Sequence, residues 1–270
     1  MKAMIFAAGL GTRLKPLTDT MPKALVPVCG LPLLYHVITK LVQAGYDHIV
    51  VNVHHFPDQI IDYLKAHDFG VRIDVSDERD FLRETGGGIR YAQPLLADFS
   101  TPPSAPLEMT DADSFAPLGM TKEPFLVHNV DIISNLDLKW FREQHRPGSL
   151  ATLVVSERKT QRYFLFDGDN RLRGWTNIAT GEVRSPYPDI DPEKCRKLAF
   201  SGIHLISPEI FEAFDRYGFG DRFSIVDFYL KACAEYPIYG VVPPDFTMVD
   251  VGKKETLSEA ERVSESILRG

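Results

Sequence analysis

Cysteine is scarce in this chain. Three occur among 270 residues, at Cys29, Cys195 and Cys233, far apart and with no CxxC pair. That spacing argues against a disulfide framework or a cysteine-based zinc site and fits a reducing compartment. Long apolar runs are lacking as well, and none approaches the ~20 residues of a membrane span. Positive charge is in deficit, with 30 Lys and Arg against 37 Asp and Glu and a net charge of −7. A general nucleic-acid binder is therefore not expected, and an anionic ligand would have to be met by basic residues gathered locally. There is no internal repeat and no GxxxxGKS/T phosphate loop. The one stretch that looks like a targeting segment is Lys2 followed by Ala3–Leu10. Arg13 and Lys15 arrive at once, and the run reads well as a buried strand, so a cytoplasmic location is expected.

Hydrophobic residues make up 44% and charged residues 25%, ordinary values for a globular protein with a sizeable core. Apolar runs at Lys2–Ala7, His48–Val53, Val71–Val75 and Phe125–His128 read as strands. Helical spacing falls between them at Pro32–Gly45 and Pro57–His67, and follows at Leu136–His145. A further short helix is expected over Gly86–Gln93, after the glycine run. This alternation predicts a Rossmann-like, three-layer α/β/α fold with a mainly parallel mixed sheet. Ligands of such sheets bind at the carboxyl ends of the strands, where the loops Gly9–Lys23 and Asn129–Asp131 would meet. Beyond residue 150, strands at Leu150–Ser156, Tyr163–Phe166, Leu172–Asn177 and Leu198–Ile206 lack long helices between them and predict an antiparallel extension. Helices near Pro208–Asp215 and Ser224–Glu235, a short strand Met248–Val251 and a terminal helix Glu255–Leu268 complete the reading. Residues 1–270 are expected to form one domain. Stretches 97–123 and 180–197 read as loop insertions, rich in proline and polar residues.

The chemistry concentrates in FAAGLGTRLKPLTDTMPKALVPV, Phe6–Val28. Gly9, Gly11, Arg13 and Lys23 offer close backbone approach and fixed positive charge, which suits a polyphosphate. The stretch opens like GxGxxG, but Leu14 replaces the last glycine. Lys15-Pro16 is also a poor helix start, since a residue before proline avoids the helical region. A nicotinamide dehydrogenase would further need a carboxylate at the end of strand two, which reads IVVNVHH. Read alone, the glycines could form a plain turn and Lys23 could be a solvated surface residue. His54 and His55 point to opposite faces if they continue the strand and read as loop residues; Tyr35, His36 and Tyr46 read as helix packing.

The run GLGTRLKPLTDTMPKALVPV, with Glu84-Thr85-Gly86-Gly87-Gly88-Ile89, Asn129-Val130-Asp131, Phe200-Ser201-Gly202-Ile203 and Val249-Asp250-Val251-Gly252, resembles the sugar-1-phosphate nucleotidylyltransferases, or NDP-sugar pyrophosphorylases. The similarity spans nearly the whole chain. It is strongest to short members such as the N-acetylmuramate-1-phosphate uridylyltransferases and the mannose-1-phosphate guanylyltransferase-like proteins. The resemblance implies Mg²⁺-dependent transfer of a nucleotidyl group from an NTP, UTP or GTP, to a sugar 1-phosphate. By it, Ala8, Gly9, Leu10, Gly11 and Thr12 hold the triphosphate, while Arg13 and Lys23 serve catalysis. Gly86, Gly87 and Gly88 line the nucleobase site, and Asn129, Asn177, Ser201 and Gly202 face the sugar. Asp131 and Asp250 hold the metal. Their settings agree: Asp131 follows a buried strand at the binding edge, and Asp250 lies in the apolar MVDVG, where a carboxylate wants a partner. Taken alone, either aspartate could instead be a turn or cap residue.

Two departures stand out. Val130 occupies a position where the family commonly has glycine, and valine tolerates a left-handed backbone poorly. The Glu-Lys-Pro segment whose lysine meets the sugar phosphate in many relatives is missing. ETGGGI favours UTP with N-acetylmuramate 1-phosphate or a related hexosamine phosphate; GTP with mannose 1-phosphate is the alternative. A non-catalytic nucleotide-sugar-binding regulatory protein is the rival from another class. Neither nucleic acid nor membrane is expected as a partner, and the sequence leaves the choice between monomer and homo-oligomer open.

Overall fold

The computed structural model describes residues 1–97, 123–252 and 257–269. Most of the stretch read as an insertion at 97–123 therefore lies outside the described residues. Strand β1 (Lys2–Phe6) leads into the glycine loop, where three single 3-10 turns, Thr12–Leu14, Leu17–Asp19 and Lys23–Leu25, take the place of a helix. A small ribbon, β2 (Pro27–Val28) and β3 (Leu31–Pro32), precedes helix α1 (Leu33–Gln43). Gly45, at φ 91°, ends that helical segment in the left-handed region that glycine favours. Strand β4 (His48–Val53), helix α2 (Pro57–Ala66) and strand β5 (Arg72–Asp77) follow, then helices α3 (Glu84–Tyr91) and α4 (Gln93–Leu96).

Strand β6 (Phe125–Asn129) turns at Val130-Asp131 into β7 (Ile132–Ser134) and helix α5 (Leu138–Glu143), which Asp137 caps by accepting from the Lys139 and Trp140 amides. The second half contributes β8 (Ala151–Ser156), β9 (Arg162–Phe166), β10 (Leu172–Asn177), β11 (Glu182–Arg184) and the long β12 (Arg196–Ile206). Helices α6 (Ile210–Arg216) and α7 (Ile225–Ala232), strands β13 (Ile238–Val241) and β14 (Met248–Asp250), and helix α8 (Leu257–Arg269) close the chain.

The main sheet runs β11-β10-β9-β12-β6-β1-β4-β5, with β8 and β13 branching from β12. Strands β6, β1, β4 and β5 are parallel; β12 joins β6 antiparallel, and β9, β10 and β11 continue antiparallel. Alternation along β1 sends Ala3 and Ile5 into one core with α1 and α8, and Met4 into another with α3, α6 and α7. This is the expected three-layer α/β/α architecture. One boundary needs correction. The 180–197 stretch is not simply loop: it carries β11, which pairs Trp175 with Arg184 and Thr176 with Val183 at the sheet edge.

From β1 the chain moves outward to β4 and β5 on one side, then returns to β6 on the other. The strand order therefore reverses between β1 and β6, and a crevice opens there at the carboxyl ends of the strands.

Candidate active site

A cavity of about 400 Å³ lies at that reversal. Its lining comes from the end of β1 and the glycine loop (Phe6, Ala7, Ala8, Gly9), from Lys23, from Asn52 of β4, and from Leu82, Glu84 and Thr85 ahead of and within α3. The turn Asn129-Val130-Asp131 and the α7 cap Ser224 complete it.

The glycine loop is shaped by Gly11. Its backbone sits at φ 64°, and a Cβ there would come within 2.7 Å of Thr18 Cγ2 and 3.2 Å of Lys23 Cβ. Thr18 Oγ1 donates to the Gly11 carbonyl at 2.7 Å, so the loop folds back upon itself and delivers Lys23 to the cavity. The amides of Leu10, Gly11 and Thr12 have no hydrogen-bond acceptor among the described residues. That of Ala8 is already engaged, donating to Asn52 Oδ1 at 3.3 Å, so Ala8 lines the site without offering a free donor.

Lys23 is nearly buried, 9% exposed, and its ammonium pairs with the Asp131 carboxylate. Asp131 begins the turn into β7, and β14 lies antiparallel beside β7, opposing Asp250 to Ile132. The Val251 amide donates to the Asp131 carbonyl at 2.8 Å. The two aspartates are thus delivered by one two-stranded ribbon. Asp250 Oδ1 is buried with no hydrogen-bond donor among the described residues. Burial, and then the charge of Asp131, push the Asp250 carboxyl above its ordinary range; Lys23, Arg13 and Arg158 oppose the shift. Gly252 leaves room for Arg13: a Cβ at 252 would fall 2.8 Å from an Arg13 guanidinium nitrogen and 2.6 Å from Asp250 Oδ1.

An orphaned, half-buried carboxylate beside a second one is the donor chemistry a hard divalent cation such as Mg²⁺ uses, with substrate oxygens and water filling the remaining positions. The residues present therefore fit Mg²⁺, with Asp131 and Asp250 as the groups that would hold it. Asp250→Asn is expected to raise the unfolding temperature at neutral pH, because it removes a carboxylate that the fold charges with difficulty. The sign follows from the raised folded-state value: the destabilisation is present above that value and vanishes below about pH 4, where both states are protonated. Thermal melts at pH 7.5 and pH 3.5 check it, and an unchanged or lower melting point at pH 7.5 would contradict it. A second expectation concerns Gly252→Ala, whose methyl meets the side-chain ends of Asp250 and Arg13 and no backbone. Turnover should fall about tenfold or more with the melting temperature nearly unchanged, measured by steady-state kinetics alongside a thermal melt.

Three placements differ from the sequence reading. Gly86, Gly87 and Gly88 lie within α3, inside the helix expected over Gly86–Gln93, but they are buried against protein and do not line the cavity. A Cβ at Gly86 would strike the Phe223 ring, one at Gly87 would overlap the Asp221 carbonyl, and one at Gly88 would sit 2.9 Å from Glu78 Oε1. The missing side chains let α3 press on the 221–223 segment and on Glu78, and it is Glu84 and Thr85 that face the cavity. Asn177 is the last residue of β10, opposite Glu182 of β11, and its Oδ1 accepts from the Ala179 amide at 3.1 Å; it is not part of the cavity lining. Val130 carries no left-handed backbone. It is buried and donates its amide to the Phe6 carbonyl at 3.2 Å, so valine costs nothing there. The left-handed residue of this neighbourhood is Gly202, φ 71°, where a Cβ would lie 2.9 Å from Asn129 Cγ. Gly202 therefore leaves room for Asn129, and the adjacent Ser201 hydroxyl is buried without a partner among the described residues.

The sequence reading missed Asn52, Leu82 and Ser224. Only Asn52 carried a signal, as an amide inside the apolar run IVVNV.

Residues 2–164 match the family model described as nucleotidyl transferase. The chain belongs to that family, as a sugar-1-phosphate nucleotidylyltransferase. Among its relatives, it is 30% identical over 267 residues to the N-acetylmuramate alpha-1-phosphate uridylyltransferase of Caulobacter vibrioides, covering 98% of this chain and 97% of that protein. It is 39% identical over 222 residues to the protein of the same name from Neisseria meningitidis, covering 80% and 79%. In fold it is similar to the crystal structure of HddC from Yersinia pseudotuberculosis, with a TM-score of 0.71 at 22% identity over 97% of this chain and 98% of that one. Among the described residues no helix is long and apolar enough to cross a membrane.

Proposed function

We propose that this protein transfers a uridylyl group from UTP to N-acetylmuramate 1-phosphate or a related hexosamine phosphate, releasing pyrophosphate. The observation that carries the reading is the meeting of Lys23, Asp131 and the orphaned Asp250 at the mouth of the β1/β6 crevice. The relatives matched over most of their length support the choice of substrates.

An oxygen of the sugar 1-phosphate bonds to the α-phosphorus of UTP, and the bond from that phosphorus to the bridging oxygen breaks. The nucleophile is already ionised, so no general base is needed. Two anions must be brought together, and the leaving pyrophosphate gathers charge, so positioning and charge neutralisation are the tasks of the site. Lys23, nearly buried and held by Asp131, offers a fixed ammonium at the reacting phosphate. Arg13, beside Gly252, faces the leaving side. The free amides of Leu10, Gly11 and Thr12 receive the triphosphate as an anion-binding concavity. Leu82, Glu84 and Thr85 form the wall against the base, and Asn129, beside Gly202, faces the sugar. Mg²⁺ held by Asp131 and Asp250 would supply further positive charge to the phosphates.

The substrate assignment is tested by incubating the protein and Mg²⁺ with UTP, GTP, CTP or dTTP against several sugar 1-phosphates, with products identified by mass spectrometry. UDP-N-acetylmuramate, or a UDP-hexosamine, is the expected product. A GDP-mannose peak exceeding every UDP-sugar would replace the uridylyl assignment.

A further inference from the structure

Asn52 is a polar residue inside a buried strand. It lies 2% exposed among Val50, Val51 and Val53, which are fully buried. Its carboxamide is spent on two segments that are remote in sequence. Oδ1 accepts from the amides of Ala7, at 2.8 Å, and Ala8, at 3.3 Å. Nδ2 donates to Glu78 Oε1 at 2.7 Å. Glu78 is completely buried, and its second oxygen accepts from the Arg83 amide at 3.4 Å. The Glu78 backbone is fixed too, its amide donating to the Val53 carbonyl at 2.8 Å and its carbonyl bonded to His54 Nδ1 at 2.7 Å. Gly88 makes the pair possible, since a Cβ there would press within 2.9 Å of Glu78 Oε1 and 3.2 Å of Asn52 Nδ2.

The chain of bonds thus runs from the amides of Ala7 and Ala8, through Asn52 and Glu78, to the amide of Arg83. Ala7 and Ala8 line the cavity together with Gly9 and Asn52 itself; Arg83 is not in the lining but sits between Leu82 and Glu84, which are, so the bonds tie two of the segments that wall the cavity. A buried carboxylate held mainly by neutral donors is costly, and burial pushes the Glu78 carboxyl up, against the opposing effects of Asn52, the Arg83 amide, and the charges of Arg83 and His54. An apolar pair would fill the same volume more cheaply. What an apolar pair could not do is hold two backbone walls in fixed register.

We propose that Asn52 and Glu78 are positioning residues that set the separation of the two wall segments they tie in the nucleotide cleft and thereby select among nucleobases. The proposal rests on the reading that this cleft holds the NTP. Their part is indirect: they orient the backbone that touches the ligand.

The test is binding, so that it does not depend on turnover. Calorimetric Kd values for UTP, GTP, CTP and dTTP, and for the sugar 1-phosphate, are measured with Mg²⁺ on the wild type, Asn52→Leu and Glu78→Gln. Asn52→Leu removes the tie while keeping the volume apolar. Glu78→Gln keeps shape and one acceptor, and serves if the first variant folds poorly. In Asn52→Leu the UTP Kd is expected to rise about tenfold or more, the spread of Kd values among the four nucleotides to narrow by a similar factor, and sugar-phosphate binding to stay within about twofold. Glu78→Gln should shift in the same direction by less. A lower melting temperature with the nucleotide ranking unchanged, or an equal rise in Kd for all four nucleotides, would overturn the proposal, since a merely structural pair gives that pattern. A wild type that binds and ranks nucleotides but releases no pyrophosphate would refute the catalytic reading and leave this comparison intact.

Discussion

Lys23→Ala is expected to lower kcat by about 10²- to 10³-fold, the range found when one donor to a developing anionic charge is removed. The reasoning is geometric. Lys23 is nearly buried, its ammonium is paired with Asp131, and it lines the cavity, as do Gly9 and Asn129. An exposed lysine would be replaced by water with little loss; a buried one leaves an uncompensated site. The substitution also leaves Asp131 beside Asp250 without their nearest cation, so lower stability is expected as well. The diagnostic is the kinetic split. KM for UTP should change far less than kcat, because on the proposed reading the Leu10–Thr12 amides and Arg13 would still hold the triphosphate. Stopped-flow or steady-state pyrophosphate release, with a thermal melt as control, decides it; a fall below fivefold in kcat would remove Lys23 from the catalytic set.

Gly87→Ala should be strongly destabilising, more so than alanine at a described glycine whose Cβ meets only flexible side chains. Its Cβ would overlap the Asp221 carbonyl and lie 3.0 Å from the carbonyl carbon and 3.2 Å from Arg222 Cα, all of it backbone. Neither side can yield by a rotamer change, so α3 and the 221–223 segment must part. The same separation strains the bonds from the Gly86 and Gly87 amides to the Phe223 carbonyl, at 2.9 and 3.2 Å. Overpacking of this kind costs about 1–3 kcal/mol, which at the slope for a domain of this size is a drop of roughly 2–12 °C in melting temperature. Function should follow, since Thr85 and Ser224 line the cavity on the two parting segments, and the Thr85 hydroxyl accepts from the Ile225 amide at 2.9 Å. Gly220→Ala is the control: a Cβ there meets nothing within 4 Å, so it should be nearly silent. Equal melting temperatures for the two variants would refute the packing argument.

Much of the architecture was legible because it rests on periodicity. Strands such as Phe125–Asn129 and helices such as Leu33–Gln43 announce themselves by the spacing of buried residues, and their alternation dictates a parallel sheet whose loops meet at one edge. The convergence of Lys23 with Asp131 followed from that topology. The packing of the glycine run did not, because what a missing side chain makes room for, here Phe223, Asp221 and Glu78, is set by tertiary contacts that the sequence does not show. Asn177 lies outside the cavity lining and spends its Oδ1 on the Ala179 amide; an Asx turn and a ligand contact draw on the same residue type, so the sequence does not separate them. Asn52 showed in the sequence only as an amide inside an apolar run; its role did not, because its partners, Ala7, Ala8 and Glu78, are distant in sequence and two of them act through backbone.

The most direct test of the account is Mg²⁺-dependent pyrophosphate release from UTP and N-acetylmuramate 1-phosphate by the wild type and by Asp131→Ala, each alongside UTP titration. The account predicts release by the wild type, dependent on both substrates and on Mg²⁺, and its loss by at least about 10²-fold in the variant while UTP remains bound. Silence of the wild type across all sugar phosphates with UTP bound, or full release by Asp131→Ala, would contradict it.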